Sequence, residues 1–332
     1  MVKTSLVTGA NGFLGCHVVR ALVARGDRVR ALARANADIS ALRGIDCEIV
    51  RGDVRDLESL RVAMRACEEV YHVAADYRLW VVDEAPMYAI NVEGTRNVID
   101  AARAASVARI VHTSTVGALG IPHGAPGRED TPVTVDAMVG PYKRSKFLAE
   151  RVAEDAARAG APVVIVNPST PIGPLDYKPT PTGRMLVDFL NRKMPAYLDT
   201  GLNLVDVEDC ARGHLLAAER GRIGEKYILG GEDLTLAELF TRLARLSGLP
   251  APKMRIPYAV AYGFALGAEA LARTITHKPP RASLTEVKMA RKKMFFDSSK
   301  ARREFGYAPG PVDPALKRAI EFFRVHGLRR AA

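Results

Sequence analysis

The 332-residue chain has no apolar run of the roughly 18 to 20 residues that a membrane-spanning helix needs; the nearest stretch, 259–272, is interrupted by Glu269, Gly263 and Gly267. An amino-terminal export signal is excluded as well, because Lys3 is followed by TSLVTGANGFLG, too polar and glycine-rich for a continuous apolar core. The four cysteines, Cys16, Cys47, Cys67 and Cys210, stand far apart with no CxxC pair and no clustered histidine. That pattern excludes a zinc module, leaves no metal site to expect and argues against a disulfide framework. A soluble protein of the reducing cytoplasm is the expectation.

Acidic residues are outnumbered by basic ones, 37 against 48, for a net charge of +11. The excess is concentrated: 278–332 holds 14 Lys or Arg and five Asp or Glu. Such a segment reads first as a solvated basic surface, and it leaves peripheral contact with an anionic membrane surface open. With no nucleic-acid motif or aromatic ladder there, a nucleic-acid partner is excluded.

What the chain does contain is an alternation of short apolar strands and longer amphipathic stretches. Strands are expected at 4–8, 29–33, 48–51, 69–73, 109–113, 163–166 and 226–229, and helices at 14–25, 57–66, 87–105, 142–159, 206–220, 234–246 and 315–325. Strands nearly continuous in Val, Ile and Leu, separated by helices, indicate an α/β fold of the Rossmann-like, doubly wound parallel-sheet type. A dinucleotide-binding domain is expected over 1–167 and about 205–230. A smaller, mostly carboxyl-terminal substrate domain would take about 168–204 and 231–332. The proline-rich stretch 168–183 reads as a long loop that carries neither helix nor central strand.

Three motifs carry chemistry. Gly9-Ala10-Asn11-Gly12-Phe13-Leu14-Gly15 lies between the first strand and the first helix. Glycines there allow a sharp turn and close approach of backbone to a pyrophosphate, while the helix amino terminus offers free N–H groups and the positive end of its dipole. After the second strand, Ala33 is neutral and Arg34 basic, which suits the 2′-phosphate of NADP better than the free ribose of NAD. Asp53 and Val54 follow the third strand, where a carboxylate can accept from an adenine amino group. Lastly, Tyr142 and Lys146 are spaced i, i+4, so on a helix phenol and ammonium share a face and the ammonium would favour the phenolate. The strand before that helix ends His112-Thr113-Ser114-Thr115, presenting hydroxyls at the carboxyl edge of the sheet where ligands bind in this architecture.

Taken together, TGANGFLG (8–15), GDV (52–54), HVAA (72–75), NVEGT (91–95), HTST (112–115), YKRSK (142–146) and NPSTPIGP (167–174) resemble the extended short-chain dehydrogenases/reductases over nearly the full length. Within that superfamily, HVAADYRLW, KPTPTGR and GEKYILGGEDLTL are most similar to the hopanoid-associated sugar epimerases, with the dihydroflavonol-reductase-like branch next. The resemblance implies a nicotinamide cofactor, NADP preferred and NAD open. It also implies Tyr142 as proton donor or acceptor, Lys146 binding the nicotinamide ribose and lowering the tyrosine pKa, and Thr115 bonding the reacting oxygen. Pro168, Ser169 and Thr170 would border the nicotinamide, Ala74 and Ala75 the central portion of the cofactor, and Thr113 the same floor.

Departures from relatives narrow the reaction. The 4,6-dehydratases follow the active-site Thr with Asp-Glu, whereas Val116 and Gly117 stand here and cannot transfer a proton. No cysteine lies between Cys67 and Cys210 to serve an epimerase that inverts a carbon beside a transient ketone. What remains is hydride transfer at a secondary alcohol or ketone of a sugar or hopanoid-linked small molecule, ending either in epimerisation or in net NADPH-dependent reduction. A dinucleotide sensor without turnover is the non-catalytic alternative, although such proteins usually lack the Tyr and Lys kept here. Tyr77, Trp80 and Arg184 are expected to wall the substrate pocket, and a homodimer is left open.

Overall fold

In the computed structural model, which describes residues 2–280 and 282–327, strand and helix alternate from the amino terminus. The first half runs β1 (Thr4–Thr8), α1 (Phe13–Arg25), β2 (Arg28–Ala33), β3 (Glu48–Arg51), α2 (Leu57–Ala63), β4 (Glu69–His72), α3 (Ala85–Tyr88), α4 (Gly94–Ala104), β5 (Arg109–Thr113) and α5 (Gly140–Arg158). It continues through β6 (Val163–Pro168), β7 (Thr170–Ile172), α6 (Pro181–Leu190), β8 (Ala196–Tyr197), β9 (Gly201–Asp206), α7 (Val207–Arg220), β10 (Lys226–Leu229), β11 (Glu232–Thr235) and α8 (Leu236–Ser247). Then come β12 (Met254–Arg255), α9 (Tyr258–Leu271), α10 (Leu284–Met289), α11 (Ser299–Phe305) and α12 (Asp313–Phe322).

Seven strands form one parallel sheet in the order β10-β6-β5-β4-β1-β2-β3. The order reverses between β1 and β4, which opens a crevice at their carboxyl ends. Both faces are covered, as near-continuous apolar strands require. On one side Val18 and Leu22 of α1 pack with Cys210 and Leu215 of α7 and Phe305 of α11. On the other, Leu60, Val98, Ile99 and Ala153 from α2, α4 and α5 close a second apolar layer. The expected doubly wound Rossmann-like sheet is the observed one.

The proline-rich stretch is not the featureless loop that its composition suggests. Thr170–Ile172 forms an edge strand of a three-stranded sheet, β11-β9-β7, where a proline at 171 needs a ladder partner on one side only. Pro181 occupies the first turn of α6, where the missing N–H costs nothing, and Thr180 caps that helix by accepting from Gly183 N–H at 3.1 Å. This sheet, with Phe189 of α6, Phe240 and Leu243 of α8 and Leu316 and Ile320 of α12, encloses a third apolar cluster beside the crevice. The helix expected over 87–105 is likewise interrupted, by a π-helical turn at Ala89–Glu93.

Candidate active site

A cleft of ≈ 990 Å3 follows the carboxyl edge of the parallel sheet. At its centre is the glycine turn. Gly9 has φ +65°, and a Cβ there would come within 2.7 Å of Ala74 Cα. A Cβ on Gly15 would run into the Gly9 carbonyl, so the start of α1 lies directly on the turn. Gly12 caps α1 with extended backbone and no side-chain bond, which leaves the first N–H groups of the helix free. Such a cradle suits an anion such as a pyrophosphate. Asn11, Phe13 and Leu14 line the same wall.

Toward one end stand Arg34, Asp53 and Val54. Asp53 is held below its ordinary pKa, chiefly by Arg55, whose guanidinium bonds it at 2.7 and 3.0 Å. Adenine would therefore share that carboxylate with Arg55. Arg34 is exposed, and its charge also bears on Asp53.

Toward the other end Thr115, Tyr142 and Lys146 come together, with Thr113, Pro168, Ser169 and Thr170 around them. Thr115 Oγ1 accepts from Gly117 N–H at 3.1 Å. Burial raises the Tyr142 pKa, and the Thr115 hydroxyl bond draws it back. The expected partner in that role, Lys146, is turned elsewhere: its Nζ donates to the Thr113 carbonyl at 2.6 Å. Desolvation lowers Lys146 to about 8, against the opposing pull of Glu150. With burial as the larger effect, the Tyr142 phenol lies above its ordinary pKa in this arrangement.

Several polar residues to which the sequence reading gives no role hold this geometry. Asn91, in the π-turn, donates to the Asp76 carbonyl and the Ser145 hydroxyl, each at 2.9 Å, and accepts from Asp76 N–H at 2.7 Å. Buried Glu150, one helical turn beyond Lys146, accepts from Asn167 Nδ2 at 2.7 Å, and the same amide donates to the Thr115 carbonyl at 3.1 Å. The 142, 146, 150 spacing was the available signal for Glu150. Beneath the site His72 joins Thr8 and Thr95 hydroxyls at 2.8 and 3.0 Å, and burial drives its pKa down to about 3. Asp176, buried in the cleft wall, is raised to about 6 by desolvation, and its Oδ1 has no partner.

Tyr77 lines the cleft as expected, and its hydroxyl donates to the Lys178 carbonyl at 3.2 Å, tying the 76–80 loop to the 174–180 segment. Trp80 and Arg184 do not line it. Asp76, Tyr77, Arg78 and Leu79 of the loop line the cleft, whereas Trp80 does not, and its indole N–H is buried and unpartnered. On α6 the inward face is Pro181, Thr182 and Met185, which leaves Arg184 exposed. The wall beyond Tyr142 is instead Met185, Leu202, Leu236, Met289, Ala290 and Met294. Lys143 lies within it, lowered to about 8 by burial, with the Met294 sulfur 3.7 Å from its Nζ.

The family model described as NAD dependent epimerase/dehydratase matches residues 5–230. The chain is 42% identical to a Synechocystis sp. protein named as a dihydroflavonol 4-reductase, across 98% of this chain and 96% of that one. Against sterol demethylase protein B of Methylococcus capsulatus the identity is 37%, across 98% and 99%. Among solved structures, a nucleoside-diphosphate-sugar epimerase from Pseudomonas aeruginosa superposes with a TM-score of 0.82 at 31% identity, covering 98% and 99%.

Proposed function

This chain belongs to the NAD dependent epimerase/dehydratase family, within the extended short-chain dehydrogenases/reductases, and from that premise we propose that it moves a hydride between NADP and a secondary alcohol or ketone carried by a large apolar molecule. NAD(P)-dependent redox chemistry is common to the family and its relatives. The finer reading, a hopanoid-like polycyclic or prenyl-bearing substrate and net reduction, is supported by one observation above the others. The substrate end of the cleft presents Met185, Leu202, Leu236, Met289, Ala290 and Met294, with Thr200, Glu286 and the buried ammonium of Lys143 among them. Those apolar side chains suit an apolar molecule better than a sugar ring.

The glycine turn and the α1 amino terminus would hold the pyrophosphate, Arg34 the 2′-phosphate, and Lys146 the nicotinamide ribose. When bound, the nicotinamide supplies or accepts the hydride. Tyr142 then gives its phenolic proton to the oxygen as the ketone is reduced, or takes it as the alcohol is oxidised. Thr115, its Oγ1 already accepting from Gly117, donates to the same oxygen and fixes its position. In this reading 1–167 with about 205–230 binds the dinucleotide, and 168–204 with 231–332 surrounds the substrate.

The test is loss of reduced-nicotinamide absorbance when the protein and NADPH meet a panel of polycyclic and prenylated ketones, with nucleotide sugars alongside. Turnover of the apolar ketones is expected. Epimerised sugar with no net cofactor consumption would overturn the reading in favour of an epimerase, and no turnover of any kind would favour a sensor.

A further inference from the structure

The most apolar helix of the described residues is also among the least covered. In α9, YAVAYGFALGAEAL, only Ala265 and Glu269 are buried. Val260, Phe264 and Leu271 are 61%, 60% and 50% exposed, and Ile275, in the π-turn that continues the helix, is 70% exposed. Steps of four and seven residues return to one helical face, so these side chains make a single stripe. A Cβ built on Gly263 or Gly267, between them, would meet nothing within 4 Å. Fourteen residues rise about 21 Å, short of the ~30 Å hydrocarbon core, and no described helix is long and apolar enough to cross a membrane.

The surroundings say what covers this stripe. Positions 253–293 hold nine Lys or Arg and two acidic residues. Lys253 and Arg255 precede the helix, Arg273 and Lys278 follow it, Lys288 lies on α10 and Arg291 just after it; all six are exposed, with Arg255 paired to Asp199 and Arg273 to Glu269. Of the two acids, Glu269 is turned inward, where it bonds Arg273 at 2.9 Å and accepts from Leu284 N–H at 3.0 Å. We propose that α9 lies in the interfacial plane of an anionic lipid bilayer, its apolar stripe among the acyl chains and the surrounding lysines and arginines on the lipid headgroups. A second copy of the chain would bring the same basic field against it, like charge to like.

The docked helix is one element away from the cleft. Glu269 joins it to α10, Met289 of α10 lines the substrate end, and Thr285 of α10 abuts Gly140 at the start of the catalytic helix, where a Cβ would meet Thr285 Cγ2 at 2.5 Å. An apolar substrate entering from the bilayer would therefore have a short path. Docking itself does not depend on the substrate reading above.

The experiment is sedimentation of the full chain with phosphatidylcholine vesicles, with and without phosphatidylglycerol, and calorimetric NADPH binding as the check that each variant is folded. Cosedimentation is expected with the anionic vesicles. Since each basic residue near such a surface is worth about fivefold in partition, Lys278→Glu/Lys288→Glu should weaken it at least ~tenfold. Phe264→Asp/Leu271→Asp should do likewise with NADPH binding intact. Equal binding to neutral vesicles, or no loss in either variant, would overturn the proposal. So would self-association in sedimentation velocity that Phe264→Asp/Leu271→Asp abolishes, which would make a second copy the occupant.

Discussion

Asn91 donates to the Ser145 hydroxyl at 2.9 Å, and Ser145 in turn donates to the Tyr142 carbonyl at 2.9 Å. One amide in a π-turn thus ties the loop after β4, through Asp76, to the helix that presents Tyr142 and Lys146. Asn91 is almost wholly buried, and its bond to Ser145 is buried with it.

Asn91→Ala leaves the Asp76 N–H and carbonyl and the Ser145 hydroxyl short of partners. A buried group left unsatisfied costs about 1–3 kcal/mol. Denaturant unfolding should show a loss of that size, together with a fall in kcat larger than any rise in KM, because the helix carrying Tyr142 loses its brace. A stability change without a kinetic one would mean that Asn91 only packs.

Tyr142→Phe removes the transferable proton and keeps the ring. Turnover should fall by ~10² to 10⁴ while NADPH affinity, measured by calorimetry, stays nearly unchanged. Wild-type turnover would take Tyr142 out of the mechanism.

At the adenine end, Arg34 offers a planar fork to a 2′-phosphate, and Ala33 adds no opposing charge. Hydrogen bonds to a charged group are worth roughly 1.5–3 kcal/mol, so NADPH should bind at least ~tenfold tighter than NADH. Arg34→Ala should erase most of that difference, and added salt should shrink it, since Arg34 is exposed. Titration of both cofactors at two salt concentrations checks this, and tighter NADH binding would refute it.

Asp176 has a folded pKa of about 6 against 3.8 for the free group. A raised carboxyl pKa means that the stability present below 3.8 is lost as pH rises through about 6, when the buried group must ionise. Asp176→Asn keeps an oxygen for the two Thr180 bonds at 2.8 Å and abolishes that ionisation. It should stabilise the protein by about 1–3 kcal/mol at neutral pH and by nothing well below pH 4. Unfolding midpoints at the two pH values distinguish this from a pH-independent packing effect.

Local patterning in the sequence determined a large part of this protein. The strand–helix rhythm, the glycine turn and the YxxxK spacing are short-range features, and period and backbone sterics alone place them on the carboxyl edge of a parallel sheet. Arg34 and Asp53 follow from their positions just beyond strands for the same reason. Tertiary structure decided what depends on which way a side chain turns. Trp80 and Leu79 are neighbours in the chain, and only the course of the 76–80 loop sends Leu79 into the cleft and Trp80 away. Proline 171 is tolerable in a strand because assembly puts β7 at an edge. The ammonium of Lys146 reaches the Thr113 carbonyl because β5 ends beside α5, a contact across 33 residues that spacing on one helix cannot reveal. The bare face of α9 is of the same kind: the sequence shows only an apolar stretch too short and interrupted to span a membrane, and the packing, which covers Ala265 and Glu269, leaves Phe264 and Leu271 uncovered among the described residues.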